Sequence, residues 1–131
     1  FAMITLGVGE KNIGNAVALN GVVFFNTNQP STASSNCESN LGIARQYKVA
    51  LADATAPSDT NADSVLTAED RSTVHAGGGY LPSPVHVVVQ VLDAEGNLQT
   101  VEGVISGTSV EQPPGTSLNA RTRAFWYKEI D

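Results

Sequence analysis

The chain has 131 residues, a mass of 13.7 kDa and a formal net charge of −6, with thirteen acidic residues against seven basic ones. Hydrophobic residues make up 41% of the chain and charged residues 15%, which argues against intrinsic disorder, since disordered chains combine few apolar groups with high net charge. An acidic surface repels a phosphate backbone, so we expect no nucleic-acid partner, and no apolar run is long enough to span a membrane as a helix.

Short apolar runs separated by turn residues dominate the first fifty residues. Residues 17–19 and 22–25 flank Asn20-Gly21, which predicts a tight hairpin because Asn-Gly tolerates the positive φ angles of a type I′ turn. Residues 22–25 are apolar on both faces and are expected to form a central strand. Residues 43–51 alternate in the manner of a strand with one solvent-exposed face. The residues predicted to be exposed on that strand are Ala44, Gln46, Lys48 and Ala50.

The second half of the chain continues the pattern of strands and turns. The predicted segments, in chain order, are a polar turn region at 53–71 with a helical turn at 67–71, a glycine break at 77–79, a strong strand at 85–92, its hairpin partner at 98–105, a loop at 112–118 and a closing strand at 121–130. No segment shows helical periodicity over ten residues or more. The expected fold class is therefore all-β, with about seven short strands in antiparallel hairpins, as in a sandwich, a barrel or a piece of a propeller.

The strongest chemical pattern is a row of oxygen-bearing residues at 59–70. A calcium loop of twelve residues takes its ligands at positions 1, 3, 5, 7, 9 and 12. The residues at these positions are Asp59, Asn61, Asp63, Val65 through its backbone carbonyl, Thr67 and Asp70. The pattern predicts a calcium site of weak affinity, on the order of 10⁻⁴ M, as in extracellular modules.

Two positions depart from the usual calcium loop. Position 6 is Ser64, where glycine normally makes the sharp turn, and Asp70 reaches less far than the usual glutamate for coordination through two oxygens. The alternative interpretation is an Asp- and Asn-rich turn whose side chains bond their own backbone. Both interpretations fit the sequence.

Other candidate sites have little support. Cys37, His75 and His86 fit no zinc-binding spacing, and no serine stands in a nucleophile elbow, so we expect no zinc and no enzyme activity. Cys37 is the single cysteine and is either a free thiol or paired with a segment outside this chain. The aromatic run at 125–127 is expected to belong to a core rather than to a ligand site.

Five segments follow one another in a recognisable order. They are Gly9-Glu-Lys11; residues 20–30, Asn-Gly-Val-Val-Phe-Phe-Asn-Thr-Asn-Gln-Pro; Cys37 with residues 40–47, Asn-Leu-Gly-Ile-Ala-Arg-Gln-Tyr; residues 77–85, Gly-Gly-Gly-Tyr-Leu-Pro-Ser-Pro-Val; and residues 121–129, Arg-Thr-Arg-Ala-Phe-Trp-Tyr-Lys-Glu. In this order they resemble the carboxy-terminal region of the PilC/PilY family, the type IV pilus biogenesis factors and tip adhesins.

The resemblance implies β-propeller-like blades at the bacterial surface or pilus tip, with roles in pilus assembly and retraction, surface adhesion and twitching motility. It also implies calcium binding through an EF-hand-like loop, a ligand pattern that residues 59–70 match. A propeller needs at least four four-stranded blades, so residues 1–131 are expected to be one β domain at the carboxy-terminal end of a longer propeller-containing chain. The expected location is extracellular. Expected partners, reached through open strand edges, are pilus subunits, the missing blades of the same protein, or a host or abiotic surface.

Two other functions also fit the sequence. The chain could be a structural β-rich head subunit of an extracellular filament, packed beside a separate pilin helix chain. It could also be an extracellular enzyme or carbohydrate-binding module that uses Trp126 and Tyr127. In the leading interpretation the protein is not an enzyme and acts through contacts.

Overall fold

The computed structural model describes residues 3–31, 40–92 and 95–113, and within them the fold is all-β, as predicted. The strands are β1 (Lys11–Asn12), β2 (Val17–Leu19), β3 (Val22–Gln29), β4 (Ile43–Ala50), β5 (Ser72–His75), β6 (Val85–Leu92), β7 (Leu98–Ser106) and β8 (Ser109–Glu111), with a 3₁₀ turn at Glu69–Arg71. All pairs are antiparallel. One sheet has the order β1-β3-β4-β5, with β2 also paired to β3, and the other has the order β6-β7-β8.

The hairpin of β2 and β3 forms as the sequence predicts. Leu19 pairs with Val22, and Asn20 and Gly21 between them have φ angles of 49° and 77°. Two successive positive φ angles are the geometry of a type I′ turn, whose twist matches that of the strands. β3 is central, as expected, because β4 pairs along one side of it while β1 and β2 pair along the other.

β4 contradicts the prediction of a solvent-exposed face. Ala44 and Gln46, on the face expected to be wet, are only 0% and 3% exposed. This face packs against the second sheet, where the Ser109 hydroxyl donates to Gln46 Oε1 at 2.8 Å and Lys48 Nζ lies 3.7 Å from Glu111 Oε2. Polar residues at alternate positions of a strand suggest that one face of the strand is exposed to water. Here the polar groups on that face lie against hydrogen-bonding partners on the other sheet.

The two sheets meet through a small mixed core. Val22, Phe24 and Val104 form its apolar cluster, with Leu19 packed against it. A polar contact lies in the same interface, where the Ser106 hydroxyl donates to Asn26 Oδ1 at 2.8 Å. Since buried polar groups are costly unless they are paired, this hydrogen bond is part of what joins the sheets.

The loop of residues 51–71 connects two strands that lie side by side. β5, which the sequence did not predict, pairs with β4 from Ala44↔His75 to Tyr47↔Ser72. The polar region between them is therefore a long hairpin loop at one end of the first sheet. This loop contains the candidate calcium ligands.

Some predictions lie outside the described residues. These are Cys37, the closing strand at 121–130 with its aromatic run, and most of the loop at 112–118. Among the residues that the structure describes, no helix is both long enough and apolar enough to cross a bilayer.

Candidate metal site

The loop between β4 and β5 brings together three of the six predicted ligands. One carboxylate oxygen from each of Asp59, Asp63 and Asp70 lies within 4.8 Å of the other two. Their exposure differs, since Asp70 is fully buried, Asp59 is half-buried and Asp63 is exposed. Such a carboxylate cluster can hold a metal ion.

The backbone of the loop curls around the carboxylates of Asp59 and Asp63. Asp59 Oδ1 accepts the N–H of Ala62 and its Oδ2 accepts the N–H of Ser64, both at 2.7 Å. Asp63 Oδ1 accepts the N–H of Val65 at 2.8 Å. These bonds are the ones that the alternative interpretation, an Asp- and Asn-rich turn, predicts, and the observation that favours a cation is the closeness of the three carboxylates.

Two residues of this curl adopt the left-handed conformation. Ala62 has a φ of 61° and Ser64 has a φ of 67°. Ser64 therefore takes the backbone shape for which a calcium loop usually employs glycine at position 6, although it carries a Cβ. For a residue other than glycine this conformation costs about 1–2 kcal/mol.

Asp70 closes the loop from its far end. Its Oδ1 accepts the N–H groups of Thr60 at 2.9 Å and Asn61 at 3.3 Å, and its Oδ2 accepts the N–H and hydroxyl of Thr67 at 2.8 and 3.2 Å. The donated N–H bonds, from Thr67 first and then from Thr60, hold the pKa of Asp70 below its ordinary value, although burial acts in the opposite direction.

The carboxylates differ in how much acceptor capacity they have left. An ionised carboxylate offers about four lone-pair sites, and the four bonds to Asp70 occupy that number. Asp59 accepts one bond on each oxygen, so both of its oxygens retain capacity for an ion. Asp70 therefore serves first to close the loop, and the carboxylate oxygens of Asp59 and Asp63 are the ones that remain open to a cation.

The remaining predicted ligands lie beside these carboxylates. The Asn61 amide accepts the N–H of Asp63 and donates to Asp63 Oδ2, each at 3.1 Å. The Thr67 hydroxyl, besides donating to Asp70, accepts the N–H of Glu69 at 3.2 Å. Val65 contributes its N–H, and its role as a carbonyl ligand stays a prediction.

No basic side chain within residues 3–31, 40–92 and 95–113 forms an ion pair with the three clustered carboxylates. The ion pairs there join Arg45 to Glu10 and Lys48 to Glu111. Arg71 follows Asp70 in the chain, but its guanidinium donates to the carbonyls of residues 68 and 54. Three negative charges this close repel one another, so a bound cation would stabilise the loop.

A second buried carboxylate, Glu10, was not anticipated from the sequence. It is 8% exposed and accepts the N–H of Gly7 at 2.8 Å and the hydroxyl of Thr27, with Arg45 Nη1 at 3.8 Å. Burial raises its pKa, but hydrogen bonds from Thr27, Gly7 and Tyr47, together with the charge of Arg45, outweigh it and leave the pKa lowered. Glu10 fastens the amino-terminal segment to the sheet, and its full set of partners gives it a structural role. The one hint of this contact in the sequence is the basic residue Arg45. Its position opposite Thr27 can be recognised only when the register of β3 and β4 is known.

No protein-family model, curated protein or solved structure matches the chain. The similarity to the PilC/PilY family therefore stays an expectation from the sequence, and the evidence for a metal site is the geometry of this loop.

Proposed function

We propose that the protein is a non-enzymatic, calcium-binding β domain that acts through contacts at the bacterial surface, as part of a type IV pilus-associated protein. The observation that carries the calcium assignment is the gathering of Asp59, Asp63 and Asp70 oxygens within 4.8 Å of one another. The fold is compatible with the assignment, because residues 51–71 connect the paired strands β4 and β5, and an ion bound in this loop need not disturb the sheet.

Calcium is the cation that this donor set favours. The side chains at the site offer carboxylate, amide and hydroxyl oxygens, which are the ligands of hard cations, and no thiol or imidazole belongs to the cluster. Calcium accepts six to eight oxygens in flexible geometries, whereas magnesium demands a near-ideal octahedron and keeps its waters. A loop of mixed donors, open to solvent at Asp63, suits the more flexible ion.

Thermal unfolding with and without calcium tests the site. At a calcium concentration about one hundred times Kd, binding to the native state alone adds about 2.7 kcal/mol to the free energy of unfolding. We expect the melting temperature to rise by several degrees in calcium relative to a chelator, and to rise less in magnesium. The double variant Asp59→Asn/Asp63→Asn should melt at one temperature in both buffers, since it removes the two charges that are open to the ion. That temperature should lie below the wild-type value in chelator, because each asparagine replaces one acceptor oxygen by an amide NH₂.

Glu69→Gln is the matched control. It removes a negative charge from the same loop, but from an exposed side chain outside the cluster, so its calcium response should equal that of the wild type. If the wild-type protein melts identically in calcium and in chelator, the loop is the Asp- and Asn-rich turn of the alternative interpretation and the calcium proposal is wrong.

The pilus assignment is supported by the five segments that resemble the PilC/PilY family in order. Deletion of the gene in its source bacterium should impair twitching motility or surface attachment. Complementation with Glu69→Gln should restore them, and complementation with Asp59→Asn/Asp63→Asn should restore them less. Normal motility and attachment in the deletion strain would contradict the assignment. The size of the native polypeptide distinguishes an adhesin tail, several times longer than this chain, from a small filament head subunit.

A further inference from the structure

β6 (Val85–Leu92) is an edge strand with apolar side chains exposed on both faces. The exposed fractions are 56% for Val85, 53% for Val88, 47% for Val89, 43% for Val91 and 67% for Leu92. Within the described residues β7 is the one strand hydrogen-bonded to β6. The outer side of β6 therefore presents backbone N–H and C=O groups beside a row of valines, which is a template for another strand.

β6 also lacks the features that normally protect such an edge. It contains no charged residue and no proline, and it is eight residues long. The other edge strands are short, with four residues in β5, two in β1, three in β2 and three in β8. Among the described strands, β6 is thus the long open edge, and covering it removes exposed apolar side chains from water.

The charge around β6 indicates what kind of strand would cover it. Residues 72–113 contain no Lys or Arg, and their acidic residues are Asp93, Glu95, Glu102 and Glu111. A second copy of this acidic chain would bring like charges together. A strand that combines apolar side chains with positive charge complements the edge.

Residues 121–130 of the same chain have this composition. They hold three of its seven basic residues, Arg121, Arg123 and Lys128, against one acidic residue, Glu129, together with the aromatic run at 125–127. The segment also has the length to reach β6. Seven residues lie between Pro113 and Arg121, and the eight steps from one to the other span up to about 29 Å when extended. Crossing from β8 over β7 to the outer side of β6 takes about 10–15 Å of strand spacing.

We infer that the outer edge of β6 is the docking site for this chain's own carboxy-terminal segment, residues 121–130. The segment adds to the second sheet by β-augmentation, so that its backbone groups pair with those of β6. Its basic side chains lie near the acidic residues of the β6–β7 hairpin, and its aromatic side chains cover the exposed valines.

Trp126, the single tryptophan, reports on this docking in the full-length chain. We compare Val88→Lys on β6 with Val74→Lys on β5, since these two edge-strand valines are 53% and 57% exposed. Lysine on an edge strand disfavours addition of a further strand. Val88→Lys should shift Trp126 emission to longer wavelength and raise its quenching by iodide severalfold, whereas Val74→Lys should leave both as in the wild type. Far-UV circular dichroism checks that both variants fold.

Arg121→Glu/Arg123→Glu is a second variant that leaves β6 itself unchanged. Like Val88→Lys, it should raise the quenching of Trp126 by iodide, because glutamates at these positions would be repelled by the acidic residues that the arginines attract. Trp126 emission that is insensitive to both the Val88 and the arginine substitutions would overturn the inference. It would also be overturned if sedimentation showed that the wild type is a dimer which Val88→Lys dissociates, because the occupant would then be a second copy.

Discussion

Asp70 and Asp63 illustrate how two aspartates in one loop can have different roles. Asp70 is fully buried and accepts four hydrogen bonds, whereas Asp63 is exposed and accepts bonds from Val65 and Asn61. The sequence places both in the same ligand pattern. It does not show that one of them closes the loop, because burial here depends on the 3₁₀ turn that brings residue 70 back to residue 60.

Asparagine substitutions separate the two roles. In Asp70→Asn, an amide NH₂ replaces an acceptor oxygen, and it faces either the donors of Thr67 or those of Thr60 and Asn61. We expect this variant to lower the urea midpoint of unfolding even in chelator. Asp63→Asn should lower the midpoint less than Asp70→Asn does in chelator, because water reaches the exposed side chain, and its larger effect should appear in calcium. Equal behaviour of the two variants in chelator would show that Asp70 does not anchor the loop.

Acid should destabilise the protein through the carboxylates that the fold keeps ionised. The pKa values of Asp70 and Glu10 lie below their ordinary values in the native state. The stability they contribute is fully present above the unfolded pKa, about 4, and is lost as the pH falls through the lower, native pKa. The urea midpoint of unfolding should therefore decrease once the pH is lowered below about 4. The decrease should be less steep in Glu10→Gln. A wild-type midpoint that rises on acidification would contradict these pKa directions.

At the scale of elements, the sequence predicted best where a local rule decides. Asn20-Gly21 sets the β2–β3 hairpin, and the alternation of residues 85–92 gives the bounds of β6. The prediction was wrong for the exposed face of β4, since the pattern of Ala44, Gln46 and Lys48 gives no sign of the sheet that covers them. β5 was missed because a four-residue strand has too little pattern to distinguish it from the loop before it.

The left-handed conformation at Ser64 predicts a stabilising substitution. Glycine adopts a φ of 67° without the steric cost that a Cβ brings, so Ser64→Gly should raise the free energy of unfolding by up to about 1 kcal/mol. Ser72, whose φ is −142°, is the control. The same replacement there should lower the free energy by about 0.5–1 kcal/mol, because glycine weakens a strand. Urea unfolding measures both, and a Ser64→Gly variant less stable than the wild type would contradict the cause assigned to the strain.

At the scale of the whole molecule, the contact between the sheets depends on polar pairs as well as on the apolar cluster. Asn26 is fully buried, accepts from Ser106 and donates to the Pro82 carbonyl at 2.6 Å. These partners are 80 and 56 residues away along the chain. No local pattern predicts such distant pairs, and for this reason the sequence indicated the fold class but not how the sheets dock.

Removing Asn26 should therefore cost more than removing a partly exposed charge at the same interface. Asn26→Ala leaves the buried Ser106 hydroxyl without this acceptor, at about 1–3 kcal/mol, and also removes the hydrogen bond to the carbonyl of Pro82, a residue that is exposed to solvent. Lys48→Met removes a pair whose acidic partner still reaches water, at about 1 kcal/mol or less. Urea unfolding of the two variants measures the difference, and a smaller loss for Asn26→Ala would show that the apolar cluster alone holds the sheets.

The pairing of β4 with β5 on either side of the candidate metal loop has a consequence for proteolysis. A protease that cuts between residues 51 and 71 breaks the chain but not the strand pairing, so both fragments stay together in one folded body. An ion seated at the carboxylates would shield the peptide bonds there from cleavage. Calcium scarcity would then leave a nicked domain that is still assembled through the pairing of β4 with β5.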